Sequence, residues 1–419
     1  MTATAEAIFE TIAAFFAPDP PKRLGVAVSG GGDSLALMLL LADWARAQGA
    51  ILCVASVDHG LRPEAAAEAD FVAGEAARLG LEHTTLRWDG WDGTGNLQDA
   101  ARHARYRLLA GWARECGLDA VALAHTLDDQ AETFVMRLAR AAGVDGLAAM
   151  PARRRQDGAL FVRPLLAVRR ADLRAFLQDR GQAWIEDPSN RDRGFERIRT
   201  RDALAVLDGL GITAPVLGEV AGHMAKAREA LDWHAYLEAR RLARAERGDI
   251  LIERKGWRTV NDEIARRILR SALMWIGGAD YPPRRAKLEG LIAALARGEG
   301  ATLAGCLIRT GDESIRIGRE PGAVAGVSAP LGQLWDRRWR VIGPVEPGIE
   351  LRPLGEAGLA QCPGWRDSGL PYASLAASPA VWRGEKLLGA PLADPGSAWK
   401  AELEGGAEGF FATILPRGK

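Results

Sequence analysis

The chain reads as an α/β protein: an N-terminal doubly wound parallel sheet with helices on both faces, then a helical middle domain and a small mixed α+β C-terminal domain. Three observations predict this. Through roughly the first half, short apolar runs alternate with segments of helical periodicity, the pattern of a parallel sheet. Between 215 and 300 the periodicity is mostly helical and the polar positions fill with arginine. Beyond Thr310 the chain breaks into short β-like runs split by glycine and proline. The expected domains are 1–214, 215–320 and 321–419.

The elements follow in order. Residues 1–20 form a helix through Ile8, Ile12, Phe15 and Phe16 that stops at the Pro18–Pro21 cluster. Leu24 to Val28 is the first strand. Ser29-Gly30-Gly31-Gly32-Asp33-Ser34 turns the chain into a helix carrying Leu35, Met38, Leu39 and Leu41. Ile51 to Val57 is a second strand ending in Asp58-His59-Gly60. An alanine-rich helix runs from Glu64 to Leu79 and is closed by Gly80; a third strand covers Leu81 to Leu86. Gln98 to Cys116 is a helix closed by Gly117. Ala120 to Ala124 is the fourth strand, with His125 at its end and a helix from Asp128 to Ala141 after it. Pro151 to Arg155 is expected as a basic loop, Val162 to Leu166 as the lead into a helix reaching Arg180, and Glu186 to Asn190 as a turn.

Composition narrows the function. At 419 residues the chain exceeds one ordinary domain. A hydrophobic content of 48% with 26% charged residues describes a soluble globular protein. The 54 basic and 54 acidic residues cancel, so any nucleic-acid face must be local. Four scattered cysteines, without C-x-x-C or zinc-ligand spacing, fit reduced thiols and a cytoplasmic location. No membrane association is expected: Met1–Glu6 lacks a basic signal region, and the longest apolar stretch is interrupted by Asp33 and three glycines.

The glycine turn is the most informative segment. Glycines let backbone approach a ligand closely, and the first N–H groups of the following helix, with its dipole, face the same point. The site suits a phosphate. It lacks both the lysine of G-x-x-x-x-G-K-[ST] and the spacing of G-x-G-x-x-G. Ser29-Gly-Gly-Gly-Asp-Ser34 instead resembles the PP-loop of the ATP pyrophosphatases, whose fold is adenine-nucleotide α-hydrolase-like and which cut ATP between its α and β phosphates.

Further motifs narrow the resemblance. Val57-Asp-His-Gly-Leu-Arg62, Ala101-Arg-His-Ala-Arg-Tyr106, Ala124-His-Thr-Leu-Asp-Asp-Gln-Ala-Glu-Thr133, Gly143–Met150, Arg163-Pro-Leu-Leu166 and Glu186-Asp-Pro-Ser-Asn190 are collinear over about half the chain and together resemble the tRNA(Ile)-lysidine synthetase family. The resemblance implies a ligase that uses ATP to adenylate the wobble cytidine of a CAU-anticodon isoleucine tRNA, after which the L-lysine ε-amine displaces AMP. It implies ATP contacts from Ser29, Gly30, Gly31, Gly32, Asp33, Ser34, Asp58 and His59. Catalytic or lysine-binding roles fall to His125, Asp129, Glu132 and Asn190, and tRNA contacts to Arg102, Arg105, Arg163, Arg197, Arg199 and Arg201. Asp33 and Asp129 are candidates for holding Mg2+.

The residue chemistry leaves some of these readings open. An acid at Asp33 or Asp128 also answers a helix dipole, and Arg102 and Arg105 could line a solvated helix face. Asp129 and Glu132, three apart, share a helix face. Two positions depart from the family pattern: Arg140-Ala141 stands where R-G is usual, and Ile198 replaces the asparagine of R-N-R-x-R. A PP-loop thiolase would need cysteines to carry sulfur, and this chain has only Cys116 near the site region; the arginine-dense middle disfavours a ligase acting on a small metabolite. An intact loop with Asp129 argues against a non-catalytic tRNA-binding protein.

Overall fold

The computed structural model describes residues 3–60, 64–88, 90–91, 93, 95–186, 196–279 and 281–415. They form two compact units, one ending at Arg228 and one beginning at Glu229.

The first unit opens with α1 (Ala3–Phe16), β1 (Arg23–Ala27), α2 (Gly32–Gln48), β2 (Ile51–Asp58), α3 (Glu64–Arg78), β3 (Glu82–Arg87), α4 (Leu97–Glu115), β4 (Ala120–Ala122) and α5 (Leu127–Leu138). It continues through α6 (Val144–Leu147), β5 (Arg153–Gln156), β6 (Ala159–Val162), α7 (Arg170–Asp179), α8 (Glu196–Asp208) and α9 (Ala214–Leu242), whose last turns belong to the second unit. The six strands form one sheet in the order β3-β2-β1-β4-β6-β5. Five run parallel and β5 is antiparallel to β6.

Side chains alternate across this sheet as the strand period of two requires. Leu24, Val26, Leu52, Val54, Ala122 and Val162 join the core of α1, α2 and α7. Cys53, Ala55, Val121 and Phe161 face Tyr106, Leu109 and Trp112 of α4. Gly25 permits that second approach, since a Cβ there would lie 2.7 Å from the Trp112 ring. The chain leaves β1 toward β2 and returns on the other side at β4. The switch point therefore lies between β1 and β4, where such sheets bind ligands beyond the strand carboxyl ends.

One local expectation changes. Arg153 to Arg155 belong to edge strand β5, not to a loop; Asp157 and Gly158, at φ +50° and +85°, make the two-residue turn into β6. Ala141 sits at φ +53°, a conformation that glycine adopts without strain.

In the second unit, helices Asp262–Gly277 and Arg285–Ala296 match the expected helical periodicity. They accompany an antiparallel sheet that was not foreseen as such, β7 (Ala243–Glu246), β8 (Asp249–Glu253), β9 (Ala301–Leu303), β10 (Cys306–Thr310) and β11 (Ser314–Arg319), ordered β7-β8-β11-β10-β9. Arg267, fully buried on the first of these helices, pairs with Asp232 at 2.5 Å and with Glu263 at 2.8 Å. Beyond it lie two smaller sheets, one pairing Trp339–Ile342 with Lys400–Leu403 and one of three strands within Glu350–Gly389. Trp335, Trp339 and Trp399 share a core between them.

Candidate active site

The glycine turn stands where β1 meets α2. Gly30 takes φ +84°, and its carbonyl accepts from Ile185 N–H at 3.0 Å. Ile185 and Trp184 press against the turn from one side: a Cβ on Gly30 would lie 2.8 Å from Ile185, and one on Gly32 would lie 3.4 Å from Trp184. At Gly31 a Cβ would meet nothing closer than 3.8 Å. Gly31 is also the N-cap of α2, with no side-chain cap, so the helix start is open on that side. Ser34 Oγ donates to the Gly31 carbonyl at 2.8 Å and accepts from Ser29 N–H at 3.2 Å, which fixes the turn from within. This geometry fits an anion held on backbone N–H groups.

Across the switch point, β4 runs through His125 into α5. Thr126 and Asp129 form a reciprocal cap, with Asp129 Oδ2 accepting from Thr126 N–H at 2.8 Å and from its Oγ–H at 2.9 Å. Asp128 caps a different helix, accepting the Arg170 N–H at the start of α7 at 2.7 Å.

Arg170 is the residue the sequence reading missed, and it sits at the centre. Its Nε donates to Asp33 at 2.9 Å and its two Nη atoms to Asp129 at 2.9 Å and Glu132 at 3.4 Å. From α8, Arg197 donates to Glu132 at 2.5 Å and Asp129 at 2.9 Å, and Arg201 to Glu132 at 2.6 Å. A signal was present: α7 begins with two arginines, Arg169 at the N-cap and Arg170 after it, a placement the helix dipole disfavours. A cation held there has another partner.

Burial raises the Asp33 carboxyl above its ordinary range, against the pull of Arg170. Burial also opposes the Asp129 charge, but Arg170, Arg197 and the Thr126 N–H outweigh it and hold that carboxyl below its ordinary value. The expected Mg2+ does not fit between Asp33 and Asp129 in this arrangement. The Arg170 guanidinium spans the two, and both Asp129 oxygens already accept hydrogen bonds. Among the described residues no His, Cys, Asp and Glu side chains are grouped to hold a metal ion.

The expected tRNA-binding arginines separate. Arg163 is 2% exposed and donates to His125 Nδ1 at 3.2 Å, the Pro151 carbonyl at 2.8 Å and the Tyr106 hydroxyl at 3.2 Å, so it is an internal strut and not an RNA contact. Arg197 and Arg201 turn onto the Asp129 and Glu132 carboxylates while staying partly exposed. Arg199, between them on α8, is exposed. Arg105 donates to His59 Nε2 at 3.2 Å, and Arg102 lies over the Tyr106 ring at 5.3 Å. Asp58 accepts from Gly60 N–H at 2.9 Å, shaping the turn that carries His59. Asn190 and Arg62 lie outside the described residues.

A parallel sheet with an open glycine turn at its switch point, facing clustered acids, defines a PP-loop protein, and the PP-loop domain family model matches residues 4–207. The chain is 54% identical over 415 residues to the tRNA(Ile)-lysidine synthase of Ruegeria pomeroyi, covering 99% of each. It is 39% identical to that of a Bradyrhizobium species, over 71% of this chain and 90% of the relative, and 44% identical to that of Novosphingobium aromaticivorans, over 68% and 86%. The chain belongs to the tRNA(Ile)-lysidine synthase family. Among the described residues no helix is long and apolar enough to cross a membrane.

Proposed function

We propose that this protein is an ATP-dependent ligase that joins L-lysine to the wobble cytidine of a CAU-anticodon isoleucine tRNA. The observation that carries the reading is the likeness to the Ruegeria pomeroyi relative over nearly the whole of both chains. The open turn at Gly31 supports ATP as the activating substrate. In the first step the cytidine 2-carbonyl oxygen attacks the α-phosphorus and pyrophosphate leaves. In the second the lysine ε-amine attacks C2, loses a proton, and AMP leaves.

The residues divide this work. Ser29 to Ser34 cradle the phosphates through backbone N–H groups. Asp33, Asp129 and Glu132 form an acidic wall beside the turn, whose charge Arg170, Arg197 and Arg201 balance. Asp33, its carboxyl raised by burial, is the carboxylate suited to take the amine proton. The anticodon loop must splay its wobble base into the site, as single-stranded RNA readers require. The second unit is assigned to holding the rest of the tRNA, and the protein works in the cytoplasm.

The test incubates the protein with ATP, labelled lysine and a CAU-anticodon tRNA transcript. Label should appear on the tRNA with matching AMP release. Well-folded protein that transfers no lysine would overturn the reading. Asp33→Ala should keep tRNA binding and lose AMP formation; AMP release that persists in this variant removes the role given to Asp33.

A further inference from the structure

Two histidines flank the glycine turn. His59 follows β2 and His125 follows β4, the strands on either side of β1. Each ring presents one nitrogen to an arginine. Arg105 Nη2 meets His59 Nε2 at 3.2 Å, and Arg163 Nε meets His125 Nδ1 at 3.2 Å. A guanidinium has five N–H donors and no acceptor, so in both pairs the ring nitrogen must accept with its lone pair. Each ring is then neutral with its proton on the other nitrogen, Nδ1 in His59 and Nε2 in His125. The two tautomers are opposite, and neither depends on a choice of proton placement.

Arg163 cannot easily turn away: it is buried and held on three sides by His125, Pro151 and Tyr106. Arg105 is exposed on α4, and its hold on His59 is the single bond at 3.2 Å. His59 stacks edge-on against Trp88 at 5.8 Å, and its Nδ1 is buried without a hydrogen-bond partner among the described residues. A buried donor without a partner costs stability, and none of the described residues supplies an acceptor to His59 Nδ1.

We propose that His59, through Nδ1–H, and His125, through Nε2–H, act as fixed neutral donors to acceptor atoms of the bound nucleotide, with Arg105 and Arg163 as the positioning residues that set the tautomers. The inference rests on the ATP reading above for the identity of the ligand, but not for the tautomers. It excludes both histidines as the base that receives the lysine proton, since a base must offer the lone pair that the arginine already occupies. The proton then leaves through the carboxylates of the acidic wall or through water.

The surrounding charges agree. Around His125, burial, Arg163, Arg197 and Arg102 all disfavour a cation and only Asp129 favours one, so its pKa is lowered to about 3. Around His59, burial and Arg105 outweigh Asp58, and its pKa is lowered to about 4.

The experiment is nitrogen-15 NMR of the six histidine rings of the free full-length protein. The His59 and His125 signals are assigned with His59→Gln and His125→Gln. Both rings should stay neutral down to about pH 5, His59 as the Nδ1–H form and His125 as the Nε2–H form. Titration of either ring between about pH 5.5 and 7.5, or the opposite tautomer, would overturn the assignment. Addition of a non-hydrolysable ATP analogue should shift both N–H resonances. Binding without a shift, or no binding, removes the donor role, while the tautomer result still decides the positioning roles; failure of lysine transfer alone touches neither.

Arg163→Met supplies a second readout. The His125 ring should lose its single Nε2–H form and titrate closer to the ordinary imidazole range, and Arg163→Lys, which can only donate, should restore the neutral Nε2–H form. A purely structural role would leave the tautomer unchanged. Should the methionine variant fail to fold, the spectra of the unmodified protein decide the question.

Discussion

Glu132 is 1% exposed and accepts from three guanidinium groups. Removing a buried charge that three cations share leaves those cations uncompensated, which costs more than the ion pair itself contributes. Glu132→Gln should lower stability by about 2–3 kcal/mol, reduced from the fully buried case because Arg197 and Arg201 are partly exposed. Urea unfolding measures this; a loss under about 0.5 kcal/mol would mean that the acids and arginines are not coupled. Asp129 adds a pH signature. Its folded carboxyl lies below its unfolded value of about 3.9, so its contribution is present above that pH and lost as pH falls through the folded value. The stability gap between the parent and Asp129→Asn should therefore close below about pH 4. The acids and histidines of the site were legible because they sit in contiguous motifs at strand ends. Arg170 was not, because its three partners lie on elements 38 or more residues away in sequence. The arginines of α8 were visible as arginines, but the face each one shows is decided by packing.

At the scale of the element, three hairpins share one geometry. The two-residue turns at 157–158, 247–248 and 304–305 each place both residues at positive φ. Such turns match the right-handed twist of the strands and favour Asn, Asp or Gly at their first position. Asp157 meets that preference, and its Asp-Gly pair is a hairpin signal that the basic run before it obscured. Arg247 and Ala304 do not meet it, which is why the strands on either side of them were read into a helical region. Arg247 is held by the Ser368 carbonyl at 3.0 Å. Ala304 is exposed at φ +53° with no such compensation. Ala304→Asn should raise stability by about 0.5–1 kcal/mol, seen as a higher unfolding midpoint at unchanged denaturant slope. A decrease would show that the side chain there meets something other than solvent. The parallel strands were easier to read, since burial on both faces makes them continuous apolar runs.

At the scale of the whole molecule, charge decides how an RNA partner is held. The chain carries 54 basic and 54 acidic residues, so it presents no net field, and phosphate contacts must come from individual exposed arginines. In the first unit Arg197 and Arg201 point at Glu132 and Asp129, whereas Arg199 is exposed on the same helix. Each phosphate contact releases counterions and steepens the fall of affinity with salt by roughly 0.7–0.9 on a double-logarithmic plot. With about four contacts, tRNA binding should weaken about sixtyfold between 50 and 200 mM salt. Arg199→Ala should reduce the slope by about 1, because it removes one contact. Arg201→Ala should lower AMP formation and stability but leave the slope unchanged, because its charge is spent inside the site. Equal loss of slope in the two variants would place Arg201 on the phosphate backbone and reverse the inward assignment of α8. A flat salt dependence in the parent protein would mean that the tRNA is held by base stacking and shape, with the arginine-rich surfaces serving solubility alone.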